Sequence, residues 1–144
     1  MVNEIIDGLS VALSDAFDGI TIYSESVAQG LQEPCFFILN LTAEEVRLLG
    51  NRAQRNMAFD VHYFPKSKVA PKSECQSVAE SLYPVMRELT LLDGYKVLGL
   101  NLNHEIVDGV LHFNVEFKPT VRYVNTDPVE GMQTIDVNQS VKGD

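Results

Sequence analysis

PCFFILNLTAEEVRLLGNRAQRNMAFDVHYFP, residues 34–65, reads as two alternating strands separated by a polar, charge-studded tip. Its two arms set the fold class, because a hairpin this long commits the chain to an antiparallel sheet. Residues 35–42 alternate with Phe37, Leu39 and Leu41 on one face, and residues 57–63 with Met57, Phe59, Val61 and Tyr63 on one face. A two-residue turn at Gly50-Asn51 opposes Leu39 to His62 and Leu41 to Asp60, mixing apolar with polar. A one-residue slip exchanges the faces of a strand. The three-residue loop Leu49-Gly50-Asn51 instead pairs Phe37 with Tyr63, Leu39 with Val61 and Leu41 with Phe59. It also sets Glu45 opposite Arg55, a favourable cross-strand charge pair. Strands of about 12 residues at ~3.3 Å each reach roughly 40 Å, beyond the common strand length. The outer stretch EEVRLLGNRAQR, with few apolar residues, is expected to project from the core.

The rest of the chain builds outward from this hairpin. Before it, Ile5, Ile6, Leu9, Ala12, Leu13, Ala16 and Phe17 recur at helical spacing. Asn3 is positioned to cap that helix and Asp18-Gly19 to end it. ITIYSE offers a short strand and SVAQGLQEP a loop. After the hairpin comes the basic loop PKSKVAPKSE, in which Ser73 and Gln76 have the spacing of a capping box. A helix follows with Val78, Leu82, Val85, Met86 and Leu89 on one stripe. Pro84 predicts a kink or break near Leu82-Tyr83. A second hairpin runs through YKVLGLNLNHEIVDGVLHFNVEFKP, where Asp108-Gly109 is a type I′ turn signal. That turn pairs Ile106 with Leu111, His104 with Phe113, Leu102 with Val115 and Leu100 with Phe117. The opposite face carries Asn101, Asn103, Glu105, His112, Asn114 and Glu116. The expected fold is α+β: a mainly antiparallel sheet built from two hairpins, with two helices packed on one face. Residues 1–124 are expected to form one domain, and the polar, acidic residues 125–144 either a disordered tail or an arm that orders on a neighbour.

Composition limits the function classes. Eleven Lys and Arg against 20 Asp and Glu give a formal charge of −9, which argues against binding nucleic acid through phosphate contacts. Cys35 and Cys75 form neither a metal spacing nor a disulfide framework and read as buried free thiols. The N-terminal stretch lacks the basic and apolar regions of a signal peptide or membrane span, so synthesis in the cytoplasm and no membrane partner are expected.

The candidate sites are few. Asp60, His62 and His104 have the residue types of a base–carboxylate system. The registers, however, set His104 on the apolar side of the second hairpin, away from the other two, and no nucleophile-elbow motif accompanies them. His112 and Glu105 fall opposite one another, as an ordinary cross-strand pair would, with no third metal ligand in reach of the sequence argument. The glycines form no phosphate-cradling loop, and Lys66, Lys68 and Lys72 read as a solvated basic loop. No catalytic residue, cofactor or metal is expected. Glu44, Glu45, Arg47, Arg52 and Arg55 gather at the hairpin tip, where they either solubilise an edge or contact an adjacent subunit.

The order of elements, with the segments GLQEPCFFI, FDVHYFP and LHFNVEFKPTVRYV and a short strand-like MQTIDV end, resembles the tail terminator family of long-tailed bacteriophages and of prophages in Gram-positive bacteria. The likeness spans roughly residues 1–137; the chain after Asn138 matches nothing in it. The resemblance implies an α+β domain without cofactor or catalytic residue. It also implies a virion-tail protein made in the host cytoplasm. Its copies would form a ring, usually a hexamer, on the tail tube protein, stop tube growth and present a surface to a head-completion or connector protein. A head–tail connector, a minor tail protein and a small ligand-binding domain or enzyme are the alternatives.

Overall fold

The computed structural model describes residues 1–25, 30–127 and 132–138, with 125–127 and 132–138 described by backbone alone. The chain orders as α1 (Val2–Ala16), β1 (Thr21–Tyr23), β2 (Cys35–Arg47), β3 (Arg52–Phe64), α2 (Pro71–Met86), β4 (Glu88–Thr90), β5 (Lys96–Val107), β6 (Val110–Phe117), β7 (Thr120–Asp127) and β8 (Met132–Asn138). The strands form one sheet in the order β1-β2-β3-β6-β5-β4, with β7 on β3 and β8 on β7. Among the described strands only β1 pairs in parallel, with β2. The fold is thus α+β, as the sequence predicts.

Both helices cover the same face. From α1, Ile5, Leu9 and Leu13 enter the core, and from α2, Cys75, Ala79, Leu82 and Met86. They meet Phe36, Ile38, Phe59, Val61, Leu111, Phe113, Val115 and Phe117 of the sheet. Aromatic pairs knit the layer, with ring centroids 5.1 Å apart for Phe17 and Phe36 and 5.0 Å for Phe36 and Tyr63, distances that favour tilted contact. Cys35 and Cys75 are free thiols in this interior, where burial pushes both thiols up from their ordinary pKa.

The long hairpin differs from the expected register over its inner half. Its three-residue loop is present, with the Leu48 amide donating to the Arg52 carbonyl at 2.9 Å. Glu45 faces Arg55 and Ala43 faces Met57 as that loop requires. Between Asn40 and Thr42, however, the register shifts by one. Leu41 is an extra residue in β2, a β-bulge, and it points to solvent, 55% exposed. Inside the bulge Phe36 pairs with Tyr63 and Ile38 with Val61, while Phe37 pairs with His62 and Leu39 with Asp60. Phe36 and Ile38, not Phe37, Leu39 and Leu41, are therefore the core residues of β2. The Asn40 side chain stabilises the irregularity, donating to the Thr42 and Ala58 carbonyls at 2.9 and 3.1 Å.

The second hairpin shows the same pattern. Asp108 and Gly109 take φ of 51° and 76°, as a type I′ turn demands, and Ile106–Leu111 and His104–Phe113 pair as predicted. Beyond them the register shifts between Leu100 and Asn103, so Leu100 meets Glu116 and Gly99 meets Phe117. Asn101 absorbs the irregularity at φ 53°, a left-handed conformation that Asn tolerates.

The helix ends also differ from expectation. Met1, not Asn3, is the N-cap of α1. Helix α2 begins at Pro71, where a missing amide costs nothing, so Ser73 and Gln76 lie inside it rather than in a capping box. It continues unbroken through Pro84 to Met86 because Leu82 and Met86, on either side of the proline, are both anchored in the core. Leu89 leaves the helix stripe and is buried from β4. Of the loop SVAQGLQEP, residues 26–29 lie outside the described residues, as do 128–131 and 139–144 of the C-terminal stretch. The strand-like MQTIDV segment forms β8, antiparallel to β7.

Candidate functional site

Strand β3 is the spine of the molecule. Its inner half, Met57–Tyr63, pairs with β6, and its outer residues Arg52–Gln54 pair with β7 along the same edge. Strands β6 and β7 are thus two runs of chain laid end to end, and the Pro119 carbonyl between them accepts the Arg55 amide at 2.9 Å. The outer hairpin is therefore not a bare ribbon: β7 backs it on one side. On the other side β2 pairs with β1 only through Cys35–Phe37. The remainder of β2 presents a strand edge that no other strand covers among the described residues, and every residue from Asn40 to Arg47 is exposed. At the apex Leu49 is 85% exposed.

The five charged tip residues divide between the two faces of the hairpin. Glu45 and Arg55 come together, Oε1 to Nε 3.8 Å. Arg47 and Arg52 join Glu45 in lining a groove of about 360 Å³ that Asn51 and Tyr123 complete. Glu44 lies apart, accepting from Asn56 Nδ2 at 3.0 Å. Arg52 stands opposite Arg122 of β7. Arg55 is only 20% exposed, so it belongs to the hairpin's own packing more than to its surface.

Two residues beyond the charged five fix this tip. Tyr123 donates its hydroxyl to Glu45 Oε1 at 2.6 Å, and that bond pushes the phenol up from its ordinary pKa. Its amide donates to the Asn51 carbonyl at 2.8 Å, and Asn51 Nδ2 donates to the Tyr123 carbonyl at 2.5 Å. Asn51 follows Gly50 in the loop and reads as a turn residue. Its second role depends on β7, which arrives 72 residues later in the chain.

The titratable groups of the sheet also sort differently from their sequence grouping. His104 faces the helices, 2.7 Å from the Tyr83 hydroxyl through Nδ1 and 3.0 Å from Gln76 Oε1 through Nε2. Asp60 and His62 lie on the opposite face, and there His112, not His104, joins them. His112 also pairs with Glu105 across β5 and β6, as predicted. In the basic loop Lys68 forms a surface ion pair with Glu33 at 2.6 Å, a contact of small energetic weight.

The groove and free edge are suited to macromolecular contact: exposed apolar and charged groups both line an open strand, with fixed hydrogen bonds behind them. Residues 4–129 match the family model described as Phage tail terminator protein. No curated protein matches the chain.

Proposed function

The chain belongs to the phage tail terminator family, and from that premise we propose that it closes the tail tube as a ring, most simply a hexamer, and offers the surface to which the head is joined. A structural role in the virion tail, in contact with other tail or head proteins, follows from the family itself. The finer reading is a ring whose contacts run through the outer hairpin, with synthesis in the host cytoplasm, the tail tube protein on one side and a head-completion protein on the other. The observation that carries it is the edge of β2 that no other strand covers among the described residues, leading to exposed Arg47 and, at the apex, exposed Leu49. A closed ring needs heterologous contacts, in which one surface meets a different one on the next copy. An open strand edge supplies such a surface through strand addition, and free edges are otherwise covered or disabled.

The test substitutes Arg47→Glu and Leu49→Asp together and follows tail assembly by electron microscopy. Both residues are exposed, so the isolated fold should be unchanged by circular dichroism. Tails should grow to uncontrolled length and fail to join heads. Tails of normal length attached to heads would overturn the role of the tip. A wild-type protein found on the portal rather than on the tube end would favour a head–tail connector instead.

A further inference from the structure

The register of β3 against β6 sets His62 directly opposite His112. Strand alternation places Asp60, two residues before His62, on the same face. Asp60 Oδ2 lies 3.1 Å from His62 Nε2 and 3.3 Å from His112 Nδ1. The imidazole rings stand edge to face with centroids 4.2 Å apart. All three ligand atoms lie within 4.8 Å of one another. Tetrahedral ligands held at about 2.0–2.1 Å from a metal sit roughly 3.3 Å apart, so both Asp–His separations already have the spacing of a coordination sphere. The other carboxylate oxygen, Asp60 Oδ1, is excluded from solvent and has no hydrogen-bond partner among the described residues. A simple hydrogen-bond network leaves that arrangement unexplained, since one oxygen serves two rings while its twin serves nothing. Buried polar atoms are rarely left so.

We propose that Asp60, His62 and His112 bind a divalent transition-metal ion of the zinc class. Two imidazoles and one carboxylate suit Zn²⁺, Co²⁺ or Ni²⁺, whereas Mg²⁺ and Ca²⁺ take oxygen ligands. Three protein ligands leave a fourth position open, and the site lies on the face of the sheet away from both helices. Phe37 and Leu39 of β2 stand beside it, opposite His62 and Asp60.

The test titrates the untagged, chelator-treated full chain with Co²⁺ and Zn²⁺, read by calorimetry and by the visible absorption of Co²⁺. One ion per chain is expected. His112→Asn and Asp60→Asn should each weaken uptake at least about tenfold, by analogy with the losses seen when even supporting groups are removed. His104→Gln, a change on the opposite face, should leave uptake unaltered. No uptake at millimolar Co²⁺, or uptake indifferent to His112→Asn, would overturn the site. If a variant fails to fold, the imidazole resonances of the wild-type chain decide: Co²⁺ must shift His62 and His112 before His104, and the reverse order refutes the proposal.

Discussion

Glu74 carries more of the fold than its place at the end of the basic stretch PKSKVAPKSE suggests. It accepts the Tyr63 hydroxyl at 2.6 Å, the Lys66 amide at 2.8 Å and the Ser67 amide at 2.9 Å, tying the end of β3 to the first turn of α2. Burial alone would raise its pKa, but the Tyr63 hydroxyl and the two amides outweigh burial and hold it below the ordinary 4.5. Burial, followed by this bond, pushes Tyr63 up. A depressed carboxyl contributes stability that is present above its unfolded pKa and lost as pH falls through the folded one. Glu74→Gln should therefore cost about 1–3 kcal/mol at pH 7, with the gap to wild type narrowing below the ordinary carboxyl range, as urea unfolding at several pH values would show. The inner half of β2 gives a second contrast. Ile38→Ala should cost about 2–5 kcal/mol because Ile38 is fully buried. Leu39→Ala, half-buried on the other face, should cost at most about 1.5 kcal/mol by lost apolar area. Equal losses in denaturant melts would contradict the bulged register.

At the scale of elements, the turns were legible and the bulges were not. Gly50 and Asp108-Gly109 announce themselves because positive φ is demanded there and few residues supply it. Leu41 has no such mark, since a bulged leucine is indistinguishable in sequence from an alternating one. The Glu45–Arg55 pair correctly fixed the outer register, and carrying it inward past Leu41 reversed the faces. Asn101 did hold a weak signal, as Asn accepts left-handed backbone. The site at Asp60 and His112 required knowing that β3 pairs with β6, a non-local contact that neither hairpin encodes. Gly99 is another residue whose meaning is tertiary. Its amide donates to the Arg87 carbonyl at 2.8 Å, and a Cβ there would lie 1.9 Å from the Met86 carbonyl oxygen. Gly99→Ala must push β5 away from the end of α2 and should cost about 1–3 kcal/mol. Gly30→Ala, with nothing within 4 Å of the added carbon, should leave the thermal midpoint nearly unchanged.

For the whole molecule, the dominant physical quantity is the formal charge of −9. In the proposed ring the protein would stand at the mouth of a DNA conduit, where gripping the cargo is a disadvantage, and an acidic surface discourages phosphate contacts. Fluorescence anisotropy with duplex DNA at physiological salt should show no binding; salt-sensitive micromolar affinity would count against the tail reading. Architecture at this scale was partly legible: two hairpins and two helices follow from periodicity, but the spine role of β3 does not. The bulge at Leu41 finally bears on what the open edge of β2 will accept. The two lengths of that edge are out of phase by one residue, so they behave like two wards of a lock. A regular strand sliding along it can match one length and must mismatch the other. Only a visitor with its own step at the corresponding place can engage both. In the strand addition proposed above, the irregularity would make that edge discriminate among extended chains through backbone spacing rather than through side chains.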